Sequence, residues 1–360
     1  MPSKHVKPRS IAALGSPTQL PAQLHSRARL DQVAALAGVS PATVSRVLNR
    51  PTLVASATQA RVRAAVETLQ FVPHPGARAL ARGRSYVIGA LIPHIGYSIF
   101  AELMEALQTE CHAAGYSVVM SVYYFDPAEE LRQARHLVNS GVDAIMLVGF
   151  RHAPALFELL QAHKVHYVCT DMFDPTAPHP SVGYDNRVIG RQIGEFLIDL
   201  GHRRFAVVTG DTRRNDRMAL RLTGLRQALR ARGLSLTDSA LAQGDYSLRA
   251  GRQGFARVFD VVQPTAVVCG NDVIAVGALL EARDRGIRVP QDVSIVGFDN
   301  LEWATEYSPS LTTVNVPCAA MGRAAAHALL ARVEGRAAAQ AIETPLALIV
   351  RESTTAPAVV

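Results

Sequence analysis

The feature that most limits the fold of this 360-residue chain is an alternation between apolar runs and helix-like segments after Ser85. A near-continuously apolar run predicts a strand covered on both faces, which is typical of parallel sheets. The intervening segments predict helices at about 100–114, 127–140 and 154–163, and a glycine follows several helices as a C-terminal cap. The capping glycines are Gly115, Gly141, Gly201, Gly233 and Gly286. This pattern predicts a doubly wound α/β body.

Composition and cysteine spacing exclude several classes of protein. With 49% apolar residues, two or three units of ordinary domain size can each bury a core. No apolar run approaches the roughly 18 residues of a membrane span, and residues 11–14 are too short for a secretory signal. We therefore expect a cytoplasmic protein with no membrane partner. Four widely spaced cysteines predict buried, reduced thiols, not a disulfide framework or a metal site: Cys111, Cys169, Cys269 and Cys318.

The positive charge is concentrated near the N-terminus. Residues 1–84 contain 12 Lys and Arg against two acidic residues, so they carry +10 and leave −3 for the other 276 residues. A small basic N-terminal segment, or head, attached to a near-neutral body is the charge distribution expected of a protein that binds nucleic acid. A solvated basic tail is the alternative, and we predict such a disordered extension for residues 1–28 only, because the sequence that follows is patterned.

Residues 30–48 predict two helices joined by a tight turn. Apolar residues spaced i, i+3, i+4 and i+7 mark the first helix: Leu30, Val33, Ala34 and Ala37. Gly38 ends that helix, Ser40 can cap the next, and Pro41 occupies its first position. A third helix at about 57–70 can pack across both. The arrangement predicts a helix-turn-helix.

The second helix of such a motif presents its N-terminal residues to base edges in the major groove. Pro41 and Ala42 offer apolar contact there, and Arg46, one turn later, can reach O6 and N7 of guanine. The remaining polar residues suit phosphate contacts, which position the helix: Thr43, Ser45 and Asn49. A three-helix bundle that binds protein is the alternative.

The run LDQVAALAGVSPATVSRVLNRP, followed by TQARVRAAVETLQFVPHPGARALARGRSYVIGALIP, resembles the LacI/GalR family of transcriptional repressors. The resemblance covers about residues 29–355. It implies a three-helix DNA-binding domain at 29–72, a hinge at 73–84 and an effector-binding and dimerisation domain at 85–355. The last is of the periplasmic-binding-protein type, with an N-subdomain at about 85–184 and 316–345 and a C-subdomain at about 185–315 and 346–355.

Two positions near the head depend on this resemblance. The family usually begins its third helix with a capping residue after Val54, where this chain has Ala55, so we expect Ser56 to cap one place later. In the family, the hinge folds on the operator and a leucine wedges into the minor groove. The resemblance assigns that wedge to Leu80. A flexible tether between domains is the alternative for this segment.

Polar residues at the ends of the apolar strands are the candidates for ligand contacts, and the resemblance places effector contacts at the same positions: Tyr97, Asp171, Arg221, Tyr246, Asn271 and Asp299. The tyrosines could stack on a ring, the carboxylates accept from hydroxyls, and Arg221 and Asn271 donate. These groups predict a sugar or sugar acid. Alternatives remain: an ion pair for Arg221, tyrosines packed at the rim, and Asp272 as the cap of a helix from Val273.

These features predict a homodimeric repressor that binds a pseudo-palindromic operator in double-stranded DNA and responds to a small-molecule effector. No heptad segment follows residue 355, so a dimer is expected and not a tetramer. No phosphate loop, dinucleotide, zincin or hydrolase motif occurs, and no enzyme activity, cofactor or metal is expected. A cytoplasmic sugar-binding or sugar-processing α/β protein localised by its basic head is the alternative from another class. An activator with the same domains is a further possibility.

Overall fold

A computed structural model describes residues 28–72, 83–96 and 98–358, and the chain forms two compact units, one up to Arg82 and one from Gly83. The predicted N-terminal extension (1–28) is almost wholly outside the described residues. So are residues 73–82 of the predicted hinge, including Leu80. Tyr97, the first predicted effector contact, also lies outside them.

The first unit contains three helices: α1 (Leu30–Ala37), α2 (Pro41–Asn49) and α3 (Ser56–Thr68). Gly38 ends α1 in the left-handed conformation with φ of 62°, as its sequence predicts. The Ser40 hydroxyl accepts a hydrogen bond from the Thr43 N–H (3.2 Å) and Pro41 is the first residue of α2. Small and branched apolar residues of all three helices share one core: Val33, Ala34, Ala37, Val44, Val47, Val62 and Ala65.

The expected Ser56 cap of α3 is wrong. Ser56 is already helical, and the capping position belongs to Ala55, which has no side-chain acceptor. The turn before α3 is held by Gln59 instead, whose Nε2 donates to the carbonyls of Pro51 (2.8 Å) and Val54 (2.9 Å). A side chain inside the helix thus satisfies carbonyls of the preceding turn and fixes where α3 begins.

The N-subdomain of the second unit is built on a parallel sheet with the strand order β11-β5-β4-β3-β1-β2. Its strands are β1 (Val87–Ile92), β2 (Ser117–Val122), β3 (Ala144–Val148), β4 (His166–Thr170), β5 (Ser181–Gly183) and β11 (Ala341–Glu343). Its helices are α4 (Ser98–Ala113), α5 (Pro127–Asn139), α6 (Pro154–Ala162) and α12 (Cys318–Val333).

The C-subdomain has a second parallel sheet with the order β7-β6-β8-β9. Its strands are β6 (Phe205–Gly210), β7 (Leu241–Gly244), β8 (Ala266–Cys269) and β9 (Ser294–Val296). Its helices are α7 (Asn186–Asp199), α8 (Asp216–Ala231), α9 (Leu248–Val262), α10 (Asp272–Asp284) and the short α11 (Glu302–Glu306). An antiparallel pair is formed by β10 (Thr313–Asn315) with β12 (Ala347–Ile349), and isolated bridges link Thr312 to Val296 of β9 and Asn315 to Asp299 after it.

Both sheets are covered on two faces, as continuous apolar strands require. In β1, Ile88 packs in the core shared with α4 and α12, whereas Leu91 packs in the core beneath α5 and α6. In β6, Val207 packs toward α7 and α8, and Val208 toward α9 and α10. The predicted doubly wound α/β fold with two subdomains is confirmed.

The glycine caps and cysteines behave as predicted. All five predicted capping glycines have φ between 68° and 106°, and the three predicted helices of the N-subdomain begin and end within two residues of expectation. The four cysteines are buried free thiols. No helix in the described ranges is long and apolar enough to cross a bilayer.

Candidate functional site

One face of α2 is exposed in the part of the chain that the structure describes. Pro41, Ala42 and Arg46 are exposed, and Thr43 and Ser45 are half-buried. The Arg46 guanidinium forms no hydrogen bond or ion pair with any residue that the structure describes. Spacing of i, i+3 and i+4 places Ala42, Ser45 and Arg46 on one side of the helix. This side combines a methyl group and a hydroxyl with an available cation.

Two of the predicted phosphate contacts already have partners inside the head. The Thr43 hydroxyl lies 2.9 Å from the Ser40 hydroxyl, at the start of α2. Asn49 donates from Nδ2 to the Ser45 carbonyl (3.0 Å), a bond from i to i−4 along its own helix. Its Oδ1 is buried without a hydrogen-bond partner among the described residues. In this conformation Asn49 is therefore turned toward its own helix.

The second candidate site lies where carboxyl ends of strands face each other across the two subdomains. Strand order reverses between β1 and β3 in one sheet and between β6 and β8 in the other, and such switch points are where open α/β sheets bind ligands. Five of the predicted effector residues line one cavity of about 40 Å3 there: Asp171, Arg221, Tyr246, Asn271 and Asp299. The structure brings together every predicted effector residue that it describes.

The two aspartates reach the cavity from strained positions. Asp171 follows β4 with φ of 62°, and Asp299 follows β9 with φ of 117°. Residues other than glycine rarely adopt such backbone conformations outside turns and functional sites. Asp171 accepts long hydrogen bonds (3.3 Å each) from the hydroxyls of Thr170 and Tyr184. No described residue donates a hydrogen bond to the carboxylate of Asp299.

Burial governs the ionisation of both aspartates. It raises the pKa of Asp171, against the opposing charges of Arg217 and Arg221. It also raises the pKa of Asp299 well above its usual range, and repulsion from Asp272 adds to the shift. Both shifts favour the neutral carboxylic acid, which can donate as well as accept a hydrogen bond.

Arg221 is held without a carboxylate partner. Its Nε donates to Asn186 Oδ1 (2.9 Å), its Nη1 donates to the Gly270 carbonyl (3.2 Å), and its guanidinium lies 3.4 Å from the centre of the Phe298 ring. In the described part of the chain it forms no ion pair, so the structural ion pair considered as an alternative is absent there. Burial lowers the pKa of Arg221, which indicates that its contacts do not fully replace the hydration that the cation loses.

Asn271, and not Asp272, caps α10. The Oδ1 of Asn271 accepts from the Ile274 N–H (2.9 Å), and the helix begins at Asp272. Asp272 instead accepts from the Leu301 N–H (2.8 Å) and the Thr313 hydroxyl (2.6 Å). The prediction that Asp272 caps a helix from Val273 is therefore wrong. Asn271 still lines the cavity, with its Nδ2 as a remaining donor.

Tyr246 forms part of the cavity wall. Its hydroxyl accepts from Asn215 Nδ2 (2.8 Å), and its ring stacks on Phe125 of the N-subdomain with 6.1 Å between centroids. Burial raises the pKa of Tyr246 to about 12. These three residues also line an outer pocket of about 180 Å3, so they separate it from the inner cavity.

Residues that the sequence reasoning missed join the two subdomains beside the cavity. Asp216 accepts from the N–H groups of Phe150 (2.6 Å) and Arg151 (2.9 Å), which follow β3 in the N-subdomain. Arg217 Nη1 donates to the Val148 carbonyl (3.2 Å) and to Asp216 Oδ1 (2.9 Å). We call Asp216, Arg217 and residues 148–151 the interlobe clamp. Arg217 precedes Arg221 by one helical turn, the spacing that could have revealed it.

The clamp depends on Gly149 and on the ionised form of Asp216. Gly149 has φ of 89°, and a Cβ there would collide with the Arg217 guanidinium and the Asp216 carboxylate. Burial acts to raise the pKa of Asp216, but the charge of Arg217 and the N–H groups of Phe150 and Arg151 outweigh it and lower the pKa. Asp216 therefore stays a carboxylate at neutral pH.

Cavity walls of this composition suit binding by hydrogen bonds and charge. Carboxyl, amide and guanidinium groups face a small enclosed space between aromatic and apolar residues, which include Phe100, Phe125 and Met218. Among the described residues no group of three or more His, Cys, Asp or Glu side chains is arranged to hold a metal ion.

Comparison with known proteins gives consistent matches over both units. Residues 29–74 match the family described as bacterial regulatory proteins, lacI family, and residues 195–354 match the periplasmic binding protein-like domain. The HTH-type transcriptional repressor PurR of Klebsiella pneumoniae (strain 342) is 32% identical over 330 residues, which are 91% of this chain and 96% of that protein.

Solved structures agree. The Lac repressor dimer bound to operator and the anti-inducer ONPF has 26% identity and a TM-score of 0.80, with 92% of this chain and 100% of that chain covered. The transcriptional regulator CelR in complex with cellobiose has 29% identity and a TM-score of 0.67, with 91% and 100% covered. From its head, its two-subdomain body and these relatives, the chain belongs to the LacI/GalR family of effector-controlled, DNA-binding transcriptional regulators.

Proposed function

We propose that this protein is a homodimeric repressor that binds a pseudo-palindromic operator and responds to a sugar or sugar acid held between its two subdomains. The observation that carries the proposal is the cavity shared by Asp171, Arg221, Tyr246, Asn271 and Asp299, which come from both subdomains. The dimeric, operator-bound Lac repressor and the cellobiose-bound CelR support the assembly and the ligand class.

On the DNA side, Arg46 reads a base edge and Pro41 and Ala42 make apolar contacts in the major groove. Thr43, Ser45 and Asn49 contact phosphates, and Asn49 has a second N–H on Nδ2 besides the one that donates to the Ser45 carbonyl. Residues 73–84 form the hinge and Leu80 its minor-groove wedge. The assignment of 29–72 to DNA and 85–355 to effector and dimer contacts belongs to the same proposal.

In this proposal the protein regulates transcription and catalyses no reaction, and DNA binding places it in the cytoplasm.

Effector binding and operator binding are coupled through the arrangement of the two subdomains. A ligand that binds one arrangement more tightly shifts the population toward it. Coupling of about 1–3 kcal/mol changes operator affinity about 5- to 150-fold.

The test is selection of genomic DNA fragments by the purified protein near physiological salt, followed by binding to the recovered site with pooled sugars, sugar acids and purines. Recovery of a short palindromic site whose binding changes with one pool is the expected result. Sequence-blind, salt-sensitive recovery with every pool would contradict it.

A variant connects that response to the cavity. Asp299→Ala should remove the response to the active pool while operator binding persists, because Asp299 lines the cavity and no described residue donates to it. Asp238→Ala is the matched control in the same subdomain, since its side chain is fully exposed. A full response from Asp299→Ala would separate regulation from this cavity.

A further inference from the structure

Arg217 brings hydrogen-bond donors to the cavity that the protein itself does not use. Its side chain is 7% exposed and lines the cavity. Nη1 serves the Val148 carbonyl and Asp216, but Nε and Nη2 have no acceptor among the described residues. A guanidinium carries five N–H donors and no acceptor, so Nε and Nη2 of Arg217 remain available to donate to a molecule that enters the cavity.

Arg221 offers a further donor to the same space. Its Nε and Nη1 are bound by Asn186 and the Gly270 carbonyl, and no described residue accepts from Nη2. The two arginines are one helical turn apart on α8, so their guanidinium groups approach the cavity from one side. A planar acceptor with two oxygens matches such an arrangement of donors.

The charges around the cavity favour a single negative charge on the ligand. Asp216 neutralises Arg217, whereas Arg221 has no ion-pair partner in the described residues. Burial raises the pKa of both Asp171 and Asp299, which favours their neutral forms and weakens repulsion of an acid. One uncompensated cation suits a carboxylate better than a doubly charged phosphate.

The opposite wall supplies the remaining contacts. Asp171 and Asp299 can accept hydrogen bonds from hydroxyls, and Asn271 Nδ2 can donate to one. The rings of Tyr246 and Phe125 cover the outer side of the cavity. Once the subdomains separate enough to enlarge this cavity of about 40 Å3, a small ligand with hydroxyls along its length and an acid group at one end can meet each of these groups.

We propose that Arg217 makes this protein selective for a polyhydroxylated carboxylic acid, whose carboxylate binds between Arg217 and Arg221 while its hydroxyls bind Asp171 and Asp299. The inference rests on the proposed function of the cavity as the effector site. It narrows the ligand from sugars in general to sugar acids and names the residue that distinguishes them.

The first test compares matched ligands on the full-length wild-type protein by calorimetry. The panel pairs aldoses with the corresponding aldonic and uronic acids, and adds their phosphates, amino sugars and purine bases. We expect one acid to bind about 10- to 150-fold more tightly than its neutral partner, the range for a hydrogen-bonded charge pair. Tighter binding of a neutral sugar, phosphate, amino sugar or purine overturns the acid selectivity and leaves effector control intact. Absence of binding by every compound overturns both.

Variants then separate selectivity from structure. Arg217→Met should reduce affinity for the acid about 10-fold or more, with a much smaller change for the neutral partner, and Arg217→Lys should lie between because it keeps the charge without the planar fork. Arg213→Met is the matched control, an exposed arginine of the loop before α8 that pairs with Asp211. Equal losses for acid and neutral ligand in Arg217→Met would show that Arg217 only holds the subdomains together and would overturn the proposal.

Discussion

At the scale of single residues, Arg46 gives the sharpest prediction for the head. Its guanidinium is exposed on α2 and has no partner in the described part of the chain. Arg46→Ala should remove discrimination at one base pair per half-site, a loss of about 1–3 kcal/mol for the preferred base. Binding to a set of single-substitution operators measures it.

The control for Arg46 is Arg63→Ala, an exposed arginine of α3 that bonds to Gln59 on its own helix. It should leave the order of preference among the operators unchanged. If Arg46→Ala weakens all operators by the same factor, the residue contacts phosphate and does not read a base.

The sequence allowed us to predict which side chains meet at the cavity where a strand end fixes the position of the side chain. Asp171, Tyr246, Asn271 and Asp299 each follow a strand, and parallel strands bring such residues to one edge. Arg217 was missed because its orientation depends on Gly149, 68 residues earlier in the chain. The cap of α10 was assigned to Asp272 instead of Asn271 because both residue types can cap a helix, and the choice depends on backbone angles that composition does not reveal.

At the scale of elements, Asp272 joins the start of α10 to the connections around β9 and β10, and burial raises its pKa to about 6. The folded protein thus binds a proton that the unfolded chain, with an ordinary aspartate, has released. The bound proton adds about 3 kcal/mol to the free energy of unfolding below about pH 4. This contribution is lost as the pH rises through about 6.

Asp272→Asn should remove that part of the pH dependence. An amide can still accept from the Leu301 N–H and donate to the Thr313 hydroxyl, so the local contacts remain. Urea unfolding between pH 4.5 and 7.5 compares the variant with the wild type and with Asp245→Asn, an exposed control. If the free energy of unfolding depends on pH in the same way in the wild type and in Asp272→Asn, then the ionisation of Asp272 does not destabilise the folded protein.

Elements themselves were largely predictable because their signals are local. The positions of α1 and α2 follow from apolar spacing, Gly38 and Ser40, all within 20 residues. The start of α3 was misjudged because Gln59 stabilises the preceding turn through a contact with backbone carbonyls. Such contacts between a helix and the turn before it are not expressed in hydrophobic periodicity.

At the scale of the whole second unit, the subdomains are closed on each other. The cavity of about 40 Å3 is far smaller than the roughly 300 Å3 of ordinary ligand sites, so a ligand requires the subdomains to separate or rearrange. The interlobe clamp opposes that movement. The hydrogen bonds of the clamp that cross between the subdomains join residues at least 65 positions apart, and periodicity and motifs could not predict them.

Asp216→Ala should therefore open the clamp without unfolding either subdomain, because each sheet keeps its own core. The N–H groups of Phe150 and Arg151 lose their acceptor, and their hydrogen exchange should accelerate markedly while peptides from α9 exchange as before. Hydrogen-exchange mass spectrometry of the full chain measures this. Asp211→Ala is the control, a carboxylate of the preceding loop that pairs with Arg213.

Unchanged protection of residues 150 and 151 in Asp216→Ala would mean that closure depends on contacts other than the clamp. Accelerated exchange throughout the chain would mean that Asp216 supports the fold and not the closure alone.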